Sequence, residues 1–217
     1  MKTRGFTLIE VLLATVLLAT ALTLAFATLS AATRTAARGE SLAQRSERER
    51  AVASFLRKRL SSARPVAFAF DPDTAASQRF IGEPDRMRFV ADLPDYLGRG
   101  GPYLHDVKVA DTDGAPSLLL DLELVLAGQA FAEEPPRPAE VLVEGLRDAA
   151  FRYRGLGDDG GLGEWQDQWT AATQLPLLVE ITLTDADGRP WPPLVVALPM
   201  ATSVAGPAIG ESEAVAR

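Results

Sequence analysis

The sequence predicts an α+β fold: one long N-terminal helix, apolar in its first half and amphipathic in its second, followed by antiparallel β-strands. Three observations predict it. Residues 6–29 form an apolar run of 24 residues with one charge, Glu10. Residues 30–64 carry nine basic and three acidic side chains, with apolar residues at roughly helical spacing between them. From Pro65 onward the apolar period changes to two.

The apolar run comes first. A helix of that length spans about 36 Å, enough to cross a bilayer core with some tilt. A secretory signal peptide is the rival reading, with Ala25-Phe26-Ala27 as its cleavage site. The run exceeds the usual signal core of about 7–15 residues, and Glu10 is unfavourable in a disposable signal. On chemistry alone the two readings stand level. Lys2 and Arg4 precede the run, but Arg34 and Arg38 follow it closely, so the charge bias across it is small.

The helix continues beyond the run through Leu42, Val52, Phe55, Leu56 and Leu60, and Pro65 stops it. Gly39, followed by the capping-box form Ser41-Leu42-Ala43-Gln44, predicts a kink or restart near residue 40. The basic side chains of this stretch read as a solvated face, with lipid headgroups or an acidic neighbour as the alternative.

Strands are predicted at Pro65–Phe70, Arg86–Ala91, Tyr103–Ala110, Ser117–Leu126, Val141–Val143, Ala149–Arg154, Leu177–Thr184 and Leu194–Leu198. The clearest is Ser117–Leu126, where Leu118, Leu120, Leu122, Leu124 and Leu126 alternate with Asp121 and Glu123. Asp111–Gly114 and Asp185–Gly188 read as turns, and Glu133–Pro138 as a surface loop. Residues 201–217 lose apolar periodicity and read as a flexible tail.

Composition removes several function classes. Residues 65–217 hold eleven basic and 25 acidic side chains, and a body so acidic repels nucleic acid. With no cysteine there is no disulfide, thiolate metal site or lipid-modified cysteine. No G-x-S-x-G elbow, H-E-x-x-H, Walker loop or dinucleotide fingerprint occurs, so no catalytic, cofactor-binding or metal residue is named. The lone histidine, His105, adjoins Asp106 in a predicted strand; neighbours there face opposite ways, so the two form no dyad. Gly98-Arg99-Gly100-Gly101-Pro102 reads as a loop rather than a phosphate cradle. Asp71/Asp73, Asp111/Asp113, Asp158/Asp159 and Asp185/Asp187 read as turn residues, with calcium the alternative; none has EF-hand spacing.

The segment Gly5-Phe6-Thr7-Leu8-Ile9-Glu10 running into Val11-Leu12-Leu13-Ala14 resembles the N-terminus of type IV pilins and of type II secretion pseudopilins. A second stretch narrows the resemblance to the minor pseudopilin J group. It holds Phe151 and Tyr153, then Trp165 and Trp169 four apart, then Leu175, Pro176, Val179 and Glu180 before a last hairpin. The resemblance implies a pilin-like fold, the long helix transmembrane in its first half and packed through its second half on antiparallel β-sheet, and a structural role, not an enzyme. It implies a prepilin leader at 1–5, cut by the prepilin peptidase after Gly5, with methylation of Phe6. It further implies a transmembrane segment at 6–29, a periplasmic amphipathic helix at 30–64 and a β-rich periplasmic domain at 65–200. Glu10 is the assembly residue that the resemblance implies, meeting the N-terminal amine of a neighbouring subunit; a carboxylate snorkelling to the headgroups is the plainer alternative. Implied partners are the I, K and H minor pseudopilins and the inner-membrane assembly platform, at the tip of a pseudopilus that it primes. A minor pilin of a type IV pilus or competence system shares the N-terminal features, and a secreted binding module or hydrolase would follow from the signal-peptide reading.

Overall fold

The computed structural model describes residues 7–93, 100–112, 114–132, 135 and 138–199. Two compact units are distinguished, Met1–Ala51 and Val52–Arg217. The first unit is helical. Helix α1 runs Leu8–Ser61 and passes into the second unit with its C-terminal part. It does not restart near residue 40. A glycine in a helix costs only about 1 kcal/mol relative to alanine, and Ser41 does not cap but donates its hydroxyl to the Arg38 carbonyl at 2.9 Å. Leu42 is 59% exposed and belongs to no core.

The second unit is built of strands: β1 Ala63–Arg64, β2 Ala69–Phe70, β3 Ser77–Gln78, β4 Phe80–Gly82, β5 Arg86–Leu93, β6 Gly101–Thr112, β7 Ala115–Leu126, β8 Gln129–Phe131, β9 Glu140–Val143, β10 Leu146–Arg154, β11 Leu178–Asp185 and β12 Leu194–Ala197. Among the described residues, a seven-stranded antiparallel sheet has the order β1-β5-β6-β7-β8, with β4 on β5 and β9 on β7. A three-stranded sheet β10-β11-β12 and a ribbon β2-β3 complete the pairing.

The helix ends at Ser61, short of Pro65. Ser62 turns back on the Arg59 carbonyl, and Ala63 and Arg64 are already paired with Ala91 and Val90. The predicted strand at 65–70 is therefore broken. Pro65 has no N–H to give a ladder, and only Ala69–Phe70 pairs, with Ser77–Gln78. Phe68 turns inward instead and covers Val90, Leu104 and Val125 on one face of the large sheet.

The other face holds the main core. Met87, Phe89 and Ala91 of β5, Val107 of β6, and Leu118 and Leu120 of β7 meet Phe151 and Tyr153 of β10 and Val179 and Ile181 of β11. Leu56 and Leu60, four apart on α1, enter the same core. Burial of each contributes about 2 kcal/mol relative to exposure. The alternation predicted for β7 holds to Leu120 and then fades. Leu122 and Leu124 are half-buried and Leu126 is 54% exposed, while Val125 is buried on the opposite face. β7 is covered on one face near its start and on the other near its end.

β10 and the aromatic segment after it tie the two sheets together. Phe151 N donates to the Pro84 carbonyl at 2.8 Å and Trp169 N to the Gly82 carbonyl at 2.9 Å. Tyr153 Oη donates to the Glu83 carbonyl at 2.8 Å, its ring edge-on to Phe80. Trp165 and Trp169 thus anchor loops. Arg152 and Arg154 lie over the Trp165 ring, and Trp169 is packed against the core.

Candidate functional site

Glu10 lies in the first turn of α1, exposed, and the structure gives it a local role that sequence reading missed. Thr7 is the residue before the helix and Glu10 is its third residue. The Thr7 backbone N–H and hydroxyl donate to Glu10 Oε2 at 3.4 and 3.5 Å, and the Glu10 N–H donates to Thr7 Oγ1 at 3.4 Å. This is a capping box, in which the Glu10 N–H is shared between Thr7 Oγ1 and the Thr7 carbonyl, the latter at 3.1 Å. Its T-x-x-E signature before an apolar run was present in the sequence. The bonds are long, so they hold the carboxylate loosely. Gly5 and Phe6 lie outside the described residues.

Beyond Glu10 the helix is suited to lipid. It is long and apolar enough to cross a membrane. Leu13, Leu17 and Leu24 are at least 60% exposed. Polar side chains of the segment bond inward: Thr15, Thr20 and Thr23 donate to the carbonyls of Leu12, Leu17 and Ala19 at 2.8–2.9 Å. Each hydroxyl is thereby satisfied without water, as a bilayer interior requires.

The acidic loops are turns, as predicted. Asp71 Oδ1 accepts the N–H groups of Thr74 and Asp73, and these bonds, led by that from Thr74, lower its pKa. Asp111 Oδ1 accepts the Gly114 N–H, Asp159 Oδ1 that of Gly161, and Asp187 Oδ1 that of Arg189. Asp113 lies outside the described residues, as do Gly98 and Arg99 of the glycine-rich loop and most of the Glu133–Pro138 loop. Among the described residues no group of three or more His, Asp or Glu could hold a metal ion.

His105 and Asp106 face opposite ways on β6. Asp106 is buried against Arg86, which bonds both its oxygens at 2.6 and 2.9 Å. His105 is 1% exposed, stacked on Phe89 with ring centroids 5.3 Å apart. Its Nδ1 lies 3.0 Å from the Tyr103 carbonyl and so carries the proton in the neutral ring. Burial, aided by the Arg59 charge, lowers its pKa from 6.5 to about 4.

A pH dependence follows. Above pH 6.5 His105 is neutral in both folded and unfolded chains and contributes no slope. As pH falls from about 6.5 to about 4 the unfolded chain takes up a proton that the folded chain refuses, and stability is lost by about 3 kcal/mol. Thermal melts of the wild type and His105→Phe across this range will test it, since His105 is the sole histidine. The variant should show the shallower slope; equal slopes would contradict the assignment.

The comparisons with known proteins divide the chain in two. The family model described as "Prokaryotic N-terminal methylation motif" matches residues 1–26, and the model described as "Type II secretion system (T2SS), protein J" matches residues 27–196. The type II secretion system protein J of Xanthomonas campestris pv. campestris is 51% identical over 199 residues, covering 91% of this chain and 94% of the relative. A chain in the crystal structure of the GspK-GspI-GspJ complex from the enterotoxigenic Escherichia coli type 2 secretion system matches with a TM-score of 0.44 at 15% identity. That match covers 66% of this chain and 90% of the other.

Proposed function

The chain belongs to the type II secretion system protein J family, and on that premise we propose that this minor pseudopilin is made as a prepilin, cut after Gly5 and methylated on Phe6. Residues 6–29 then anchor it in the inner membrane, with the β-rich unit in the periplasm. It joins the I, K and H minor pseudopilins at the tip of the pseudopilus and primes assembly of that fibre, whose growth on the assembly platform moves folded proteins across the outer membrane. The role is structural and needs no cofactor.

The observation that carries this reading is a loosely held carboxylate at the start of a membrane-length helix. A carboxylate near the end of a membrane helix costs less than the 2.5–3.5 kcal/mol of the centre. The Thr7 bonds offset part of that cost in the single subunit. They also leave lone pairs free, and a neighbour's N-terminal amine is the partner that would neutralise the charge. The polar hydroxyls along the rest of the segment compete for no partner, so the carboxylate alone sets the register of one helix against the next.

The test is co-purification. Solubilised in detergent from its native membrane, the chain should bring down the other minor pseudopilins, and deleting its gene should stop secretion. Recovery with type IV pilus subunits instead would favour the pilus reading.

A further inference from the structure

The hairpin between β10 and Trp165 is built to display two leucines. Its arms meet at an antiparallel bridge between Leu156 and Leu162. Gly157 N donates to the Gly161 carbonyl at 2.8 Å and Gly163 N to the Gly155 carbonyl at 2.9 Å. In that pattern Leu156 and Leu162 are the non-hydrogen-bonded pair, whose side chains stand close together on one face. The opposite face carries only glycines: Gly155, Gly157, Gly161 and Gly163.

The glycine face is seated on Trp169 at Gly155, and nearer the turn, at Gly157 and Gly161, it meets the Asp159 carboxylate. A Cβ at Gly155 would stand 2.5 Å from Cη2 of that indole, a distance no side chain tolerates. Trp169 is itself pinned, its Nε1 donating to the Ala171 and Gln174 carbonyls at 2.9 Å each. The leucines stand on the face turned away from that indole. Leu156 is 68% and Leu162 54% exposed, and neither belongs to the core.

Acidic residues flank them along the chain: Asp158 and Asp159 at the turn, Glu164 and Asp167 just beyond. The nearby cations are already engaged. Arg154 donates from Nε to the Gly163 carbonyl, and Arg152 pairs with Asp167 at 3.3 Å and Glu180 at 3.5 Å.

We propose that this hairpin is a docking knob, its leucine pair entering an apolar hollow rimmed by lysine or arginine on another protein subunit of the secretion assembly. Charge selects that occupant. An anionic lipid surface would repel the Asp158-Asp159 turn, and so would a second copy of this domain, whose residues 65–217 hold 25 acidic against eleven basic side chains. The proposal rests on the pseudopilin reading above.

The test uses the full chain in detergent, mixed with the other purified minor pseudopilins. Leu156→Asp/Leu162→Asp should keep the wild-type melting temperature, because both sites are exposed, and bind one of those subunits roughly tenfold or more weakly. Asp158→Lys/Asp159→Lys should weaken the same binding, and added salt should weaken it in the wild type. Unchanged binding by the leucine variant, with the wild type binding normally, overturns the knob and leaves the pseudopilin reading intact. Failure of the wild type to bind any minor pseudopilin overturns that reading, and the knob with it.

Discussion

Glu10→Ala is expected to lose co-purification with the other minor pseudopilins while still entering the membrane. The substitution removes two things: the capping interaction with Thr7 and the negative charge. Glu10→Gln separates them. Glutamine keeps a side-chain acceptor at the third helical position and serves a capping box as well as glutamate, but it offers no charge to a neighbouring amine. Removing one member of a buried ion pair costs about 3–5 kcal/mol, which is roughly a hundredfold or more in association. Both variants should therefore fail to a similar degree. Normal recruitment of Glu10→Gln with loss only in Glu10→Ala would make Glu10 a helix cap and nothing more.

The second large effect lies in the core. Gly82→Ala is expected to lower the melting temperature by about 10 °C. A Cβ at residue 82 would stand 2.6 Å from Cζ of Tyr153, with two more ring atoms at 2.8 Å. That ring cannot move aside freely. Its hydroxyl is bonded to the Glu83 and Arg86 carbonyls at 2.8 and 3.3 Å, and Phe80 packs against it edge-on at 5.6 Å. Overpacking costs about 1–3 kcal/mol and a stranded buried acceptor a similar amount. The loss also reaches the Trp169 clamp, because Gly82 holds it through its carbonyl. Gly39→Ala is the matched control, since nothing lies within 4 Å of a Cβ there. It should melt at or slightly above the wild-type temperature, alanine being the better helix former. Equal melting of Gly82→Ala and the wild type would contradict the contact between β4 and β10.

Much of this was legible in the residues, and the gaps have physical causes. The strands at Ala149 and Leu177 announce themselves because each presents one apolar face to a single core, and those at Arg86, Tyr103 and Ser117 because alternate residues still face the main core, although Val90, Leu104 and Val125 are buried on the other side. Phe80–Gly82 did not, because its burial depends on Tyr153, distant in sequence. Leu126 was misplaced for a related reason: β7 changes its buried face near its end, where Val125 packs under Phe68, and strict alternation cannot report that. The helix stop was read from Pro65, whereas pairing of Ala63 with Ala91 ends the helix sooner.

At the site, Glu10 was conspicuous as a lone charge in an apolar run. Its tie to Thr7 was equally readable as T-x-x-E, but a second capping-box form at Ser41 drew the assignment away. The local rule was right and the position wrong, because a capping box caps only where a helix begins. The leucine hairpin was invisible among glycines. Seeing it needs the register that sets Leu156 against Leu162 and the indole packed behind Gly155.

The central claim is that this chain is a processed subunit that keeps its apolar helix. The intact mass of the protein recovered from its native membrane tests it most directly. The account predicts a chain lacking residues 1–5 and carrying one added methyl group on Phe6. A mature chain beginning near Thr28, cut after Ala25-Phe26-Ala27, would contradict it: neither Glu10 nor the membrane helix would remain to place the domain in a fibre.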